Sequence, residues 1–184
     1  MNRIEVTIKG ISPLLMNRYP GIYEFDTKVK VKNPNKYEKE TMARDKLYLD
    51  EKGKLFTPNT HIHGALINAG KKLQIKGQGK ATYSKPFGSM VQVEPAFIVH
   101  KKQKWDIHSI LTRNPNARGA RNVTHRPKLD DWELDFTLYA DPEIPPEVIK
   151  EGLERAGKYV GIGDWRPDTK GIFGKFQVTK FKEK

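Results

Sequence analysis

Two stretches alternate strictly between apolar and polar residues, and they restrict the chain to folds built on a half-buried sheet. In RIEVTIK, residues 3–9, Ile4, Val6 and Ile8 fall on one side and Arg3, Glu5, Thr7 and Lys9 on the other. In WELDFTLYA, residues 132–140, Trp132, Leu134, Phe136 and Leu138 share one face. A period of two is the mark of a strand with one dry face. Elsewhere the period lengthens. Ile62, Leu66, Ala69 and Leu73 recur at steps of three and four, widened by Ala65 and Ile67, which predicts a helix capped by Asn59 or Thr60 and running to about Leu73. Pro145 and Pro146 suit the start of a second helix with Val148, Ile149, Leu153 and Ala156 on its buried face and Gly157 at its end.

The remaining segments complete an order. KLYLDEKGKLFTP, residues 46–58, carries a hairpin signal with its turn at Glu51 to Gly53. MVQVEPAFIVH, residues 90–100, reads as a strand interrupted by Pro95, which puts an edge position or a bulge there. IFGKFQVTKF, residues 172–181, gives the last strand, with Phe176 and Val178 opposite Lys175 and Gln177. Strand, helix, strand, strand, helix, strand is the order of an α+β ferredoxin-like (RRM-like) βαββαβ core, an antiparallel sheet with two helices on one face. At 184 residues the expectation is a single domain, with insertions at about 17–58 and 100–128. In RNA-recognition domains of this shape the open sheet face and its loops meet single strands.

Charge points the same way. Thirty-four Lys and Arg against 22 Asp and Glu leave +12, a field that draws polyanions. The surplus clusters: Lys101, Lys102, Lys104, Arg113, Arg118, Arg121, Arg126 and Lys128 face the single acid Asp106 within residues 101–128. Trp105 among the first three is the aromatic interleaving of a single-strand platform, where the ring stacks on bases and the cations follow phosphate. A solvated charged loop is the alternative. No cysteine is present, which removes disulfides, thiolate catalysis and Cys-ligated metals. No signal peptide or membrane span is legible, so a cytoplasmic protein without membrane contact is expected. Neither a GxxxxGK[ST] loop nor a complete dinucleotide fingerprint occurs, and no cofactor is expected.

The segment GIGDWRPDTKGIFGKFQV, residues 161–178, has two readings. Gly161, Gly163, Gly171 and Gly174 permit tight turns, or their backbone lies against phosphates while Trp165 stacks on a base and Arg166 pairs with phosphate. The candidate nucleic-acid surface comprises Arg18, Lys28, Lys30, His61, His63, Lys101, Lys102, Lys104, Trp105, Arg113, Arg118, Arg121, Arg126, Gly161, Gly163, Trp165, Arg166, Lys170 and Lys175. His61 and His63 raise a metal reading, but residues two apart on a helix point about 200° apart, so no metal is expected. Spacing singles out none of His61, His63, His100, His108 and His125 as a general base, and no catalytic residue is assigned.

FTPNTHIHGALINAG, residues 56–70, resembles the entry to the first helix in the RAMP superfamily, and GIGDWRPDTKGIFGKF resembles that superfamily's C-terminal glycine-rich loop. With the opening strand and ISPLLMN, residues 11–17, the resemblance touches both ends of the chain. It implies a ferredoxin-like RNA-binding domain, similar in type to the backbone subunits of CRISPR complexes, which polymerise along guide RNA and carry a basic hairpin called a thumb. The excursion from Lys101 to Arg126 would be that thumb. It also implies two catalytic alternatives: a histidine activating a ribose 2′-hydroxyl, or a loop aspartate at Asp26. The leading expectation is a non-catalytic protein that coats single-stranded RNA or DNA as a homo-oligomer or filament. The others are a metal-independent endoribonuclease and a viral packaging protein.

Overall fold

The computed structural model describes residues 1–19, 39–113 and 121–184, the side chains at positions 112, 113, 121 and 122 excepted. Its elements are β1 (Asn2–Gly10), β2 (Leu14–Leu15), α1 (Lys39–Arg44), β3 (Phe56–Pro58), α2 (Asn59–Gly70), α3 (Ser84–Met90), β4 (Val91–Glu94), β5 (Phe97–Val99), β6 (Asp106–Arg113), β7 (Arg121–Leu129), β8 (Glu133–Ala140), α4 (Pro146–Arg155) and β9 (Phe176–Glu183). Four strands form an antiparallel sheet in the order β4-β8-β1-β9. With α2 following β1 and α4 following β8, this is the ferredoxin-like βαββαβ topology.

The two alternating segments are the centre of the sheet. Ile4, Val6 and Ile8 of β1 lie opposite Leu138, Phe136 and Leu134 of β8, and all six side chains are buried. Ile62, Ala65, Leu66 and Ala69 of α2 and Ile149 and Leu153 of α4 close the same core. Trp132, fully buried, donates its indole N–H to the Ser12 carbonyl at 2.9 Å and meets Phe176 edge to face. A buried indole needs such an acceptor, and this one ties the turn after β1 to the start of β8.

The boundaries depart from the sequence reading for identifiable reasons. α2 starts directly after Pro58, and Asn59 spends its side-chain amide on the Val93 carbonyl of β4 instead of capping the helix. Residues 90–100 are two strands in two sheets: β4 is an edge of the main sheet, as Pro95 suggested, while β5 pairs with β3. In the segment 46–58, Leu49 bridges Leu55 around a turn at residues 51–53. Gly157 does not end the second helix. The chain continues through a π-helical turn, Ala156–Val160, and stops at Gly161. A Cβ at position 157 would run into the Phe176 carbonyl of β9, so the bare glycine is what lets this turn lie against the strand. We expect Gly157→Ala to cost about 1–3 kcal/mol in urea unfolding, the range for forced overpacking; an unchanged midpoint would show that strand and turn separate freely.

Candidate nucleic-acid interface

β6 and β7 form a hairpin in register from Asp106↔Lys128 to Arg113↔Arg121, in a sheet separate from the main one and joined at its base by β2. This is the basic excursion, folded as a two-stranded arm. Lys28, Lys30, Asp26 and Arg118 lie outside the described residues, and Arg113 and Arg121 enter only as the last backbone rung of the arm.

The cations near the foot of this arm are not left to repel one another. Lys101 pairs with Glu133 and, at 2.9 Å, with Asp135; Lys102 pairs with Asp131; Lys128 pairs with Asp130 at 3.0 Å. Arg126 Nε sits 2.6 Å from Asp164 Oδ2 with both side chains largely buried. The acids missing between Lys101 and Lys128 are supplied by the turn into β8, by β8 itself and by the glycine-rich loop. Lys104 is exposed, and Trp105 is half-buried against the core.

The open face of the main sheet carries the same kind of lattice. Glu5 receives Lys180 at 3.1 Å and Lys184 at 2.5 Å, and these ammonium groups, Lys184 foremost, hold its carboxyl at about 2. Thr7 donates to Asp135 at 2.7 Å. On this face the carboxylates and the ammonium groups are drawn into pairs with one another.

A different surface gathers the remaining candidates. Residues 161–174 fold back on β2: the Asp164 N–H donates to the Leu15 carbonyl at 2.9 Å, and the Gly174 N–H to the Pro13 carbonyl at 2.8 Å. Gly161, Gly163 and Gly174 have positive φ, as the turn reading anticipated, whereas Gly171 does not. Trp165 does too, at 50°, a conformation that costs a non-glycine residue about 1–2 kcal/mol. It is held there by the loop's own closure. The Trp165 carbonyl accepts from the Phe173 N–H at 3.0 Å, and a Cβ at Gly171 would strike that carbonyl. The indole is 39% exposed, with one side toward Phe173 at 6.5 Å and an interplanar angle of 22°. Phe173 in turn meets the His108 ring of β6 at 5.1 Å.

Beside this loop, one face of α2 and the glycine-rich segment enclose a cleft of about 150 Å³ lined by Thr60, His61, Asn68, Gly161, Gly163 and Arg166 among others. Arg166 is positioned by the Gly163 carbonyl at 3.3 Å and by Asp168 at 3.4 Å, and Asn68 reaches the same Asp168 carboxylate at 3.5 Å. Burial, and then the Arg166 charge, push His61 down to about 4. His63 turns to a second cleft along β4 and bonds the Phe87 carbonyl at 3.1 Å, so the two histidines diverge as helical geometry requires. Arg18 is anchored by the Leu47 carbonyl at 3.2 Å, Lys170 sits at the left-handed end of a short turn, and the Lys175 backbone bonds Ser12.

His100 is buried against Thr57 at 2.9 Å and is likewise pushed down to about 4 by burial. An unfolded histidine takes a proton near pH 6.5 but these two only near 4, so unfolding binds protons between those values and stability falls as pH drops. We expect a loss on the order of 2–3 kcal/mol per histidine between pH 7 and pH 4, and a His100→Gln protein whose unfolding free energy varies with pH as steeply as the wild type's would contradict this.

Sequence reasoning missed Asp164, Phe173 and the role of His108 as a packing partner. Asp164 stands beside Trp165 in GDWR, but its partner lies 38 positions away in the chain, and no spacing rule reaches that far.

The topology and the arm define a ferredoxin-like domain with a β-hairpin extension. A chain in the cryo-EM structure of the Type III-B Cmr-beta complex bound to cognate target RNA superposes on it with a TM-score of 0.60 at 12% sequence identity. The match covers 99% of this chain and 60% of that one, so the protein spans well under two thirds of its structural neighbour. No family model matches the sequence, and no curated protein matches it. Among the described residues no helix is long and apolar enough to cross a membrane.

Proposed function

We propose that this protein binds single-stranded RNA, as a RAMP-type subunit of a CRISPR-related assembly, and that copies line up along the strand without cutting it. The observation that carries the proposal is Trp165: an indole kept partly exposed in an unfavourable backbone conformation, at the junction of a basic arm, a glycine-rich loop and the Arg166 cleft. Strained residues held by their surroundings cluster at functional sites. The neighbour bound to target RNA supports RNA over DNA as the ligand.

Three of the histidines are poorly suited to cleavage. A general base works best with a pKa near the working pH, whereas burial holds His61 and His100 at about 4, and burial followed by the Lys39 and Lys46 charges lowers His125. The ion-paired Lys101 and Lys102 are secondary in this reading, and the arm, Arg166 and Lys170 carry the phosphate contacts; the N–H groups of Gly161, Gly171 and Gly174 already donate to backbone carbonyls within the fold.

Titrating a labelled single-stranded RNA at several salt concentrations tests the proposal. The logarithm of affinity should fall with the logarithm of salt by roughly 0.7 per neutralised phosphate. Lys101→Ala or Lys102→Ala should change that slope less than Arg166→Ala does, because Arg166 stands beside Trp165 and is held by Asp168 only at 3.4 Å, whereas both lysines are closely paired with carboxylates away from that loop. A salt-independent affinity would remove the polyanion reading altogether.

A further inference from the structure

His108 and Arg126 are direct cross-strand partners, one rung of the β6/β7 arm. Each touches a residue next to Trp165, Asp164 in the chain or Phe173 in space. Arg126 Nε lies 2.6 Å from the carboxylate of Asp164, the residue before the indole. The His108 ring packs 5.1 Å from Phe173, whose own ring lies alongside the indole and whose N–H bonds the Trp165 carbonyl. The chain therefore enters and leaves the Trp165 turn through two residues seated on a single rung.

The ion pair at this rung is unusual in its surroundings. The Arg126 side chain is 13% exposed and that of Asp164 24%, so solvent screens them little. A second cation stands close: Lys46 donates to the His125 carbonyl at 2.9 Å, and burial together with the Arg126 charge lowers its pKa while Asp164 opposes this. Asp164 is thus the carboxylate that faces Arg126, and it shares Lys46 with Asp45. Removing it would leave Arg126 unopposed in a partly dry site, which is far costlier than removing an exposed partner.

We infer that Asp164 is a positioning residue: seated on Arg126, it fixes the Trp165 turn to the arm so that loop and hairpin bind RNA as one rigid unit. The inference rests on the RNA-binding reading above and deepens it. It also makes a prediction whose sign is opposite to that of simple electrostatics. Asp164 is an acid on a surface meant for a polyanion, so deleting its charge should tighten RNA binding if the residue is merely part of the local field. As a positioning residue, its loss should weaken binding, since holding groups in place before association avoids an ordering cost at association.

The experiment compares wild type, Asp164→Asn, Asp164→Glu and His108→Ala, each labelled with 5-fluorotryptophan and assigned by a Trp165→Phe control. Affinity for a single-stranded RNA and the fluorine resonance of Trp165 in the free protein are both read, under conditions where unfolding curves show every variant folded. Expected are a roughly tenfold weaker affinity and a shifted or broadened Trp165 resonance for Asp164→Asn, a substantial return towards wild type for Asp164→Glu, and a smaller change of the same sign for His108→Ala, which leaves the ion pair intact. Equal or tighter binding by Asp164→Asn with an unmoved resonance would overturn the inference. If wild type itself fails to bind RNA, the proposed function falls, and the resonance alone then decides: a shift in Asp164→Asn upholds the seating of the loop on the arm, and an unmoved line refutes it.

Discussion

Trp165→Ala lowers affinity for single-stranded RNA by about ten- to a hundredfold, the 1–3 kcal/mol that one base stacked on an aromatic ring contributes, and leaves the unfolding free energy within about 1 kcal/mol of wild type. The asymmetry follows from where the ring sits. It is 39% exposed, lies outside the main core cluster, and touches the fold through Phe173 and its own backbone carbonyl, which alanine retains. Truncation also relieves little strain, because φ stays near 50° as long as the Phe173 N–H and the bare Gly171 close the turn on position 165. What is lost is a flat apolar surface beside Arg166. Competition or fluorescence-anisotropy titrations at fixed salt give the affinity and urea unfolding gives the stability; a variant that binds RNA as well as wild type would take the indole out of the interface.

Trp132→Ala behaves in the opposite way. This ring is fully buried, its N–H satisfies the Ser12 carbonyl, and it packs against Phe176 in the last strand. Removing it leaves a large cavity and strands a carbonyl, for a loss of about 3–5 kcal/mol. That is a third or more of the stability of an ordinary domain. The residual protein should still bind RNA under conditions where it remains folded, since Trp132 meets Ser12 and Phe176 and not Trp165 or Arg166. A Trp132→Ala protein that unfolds at the wild-type urea midpoint would mean that the sheet and the turn after β1 are held by something else. The two tryptophans therefore separate the fold from the site: one substitution should move stability alone and the other affinity alone.

How far the sequence reached depended on how local each signal was. Alternation in residues 3–9 and 132–140 placed the two central strands with the correct inward faces, because a period of two is set by neighbours in the chain. The stripe of α2 was legible for the same reason. α3 was not, since SKPFGSM buries only Phe87 and has no repeat to detect. The π-helical turn after α4 depends on a strand 19 residues further on pressing against Gly157, which no local pattern contains.

The site divided along similar lines. The crowding of glycine around one indole and one guanidinium drew attention to residues 161–178, whose first part folds as a turn against Pro13 and Leu15, and the hairpin in the basic excursion was foreseen from the resemblance. Charge counting misled in one respect. It took the Lys101 to Lys128 run as unopposed, when Asp130, Asp131, Glu133, Asp135 and Asp164 all return to meet it in the folded chain. Runs of like charge in sequence say nothing about which acids the fold brings back, and here they come from just beyond the run and from the far C-terminal loop.

The most direct test is to irradiate the wild-type protein bound to a uniformly uridine-containing single strand and map the cross-linked peptides by mass spectrometry. Cross-links confined to the Trp165 loop, residues 161–174, and to the β6/β7 arm are expected. Cross-links concentrated on the open face of the sheet, at peptides carrying Tyr139, Glu5 or Lys180, would contradict the assignment and return the binding surface to the face that RNA-recognition domains of this shape use.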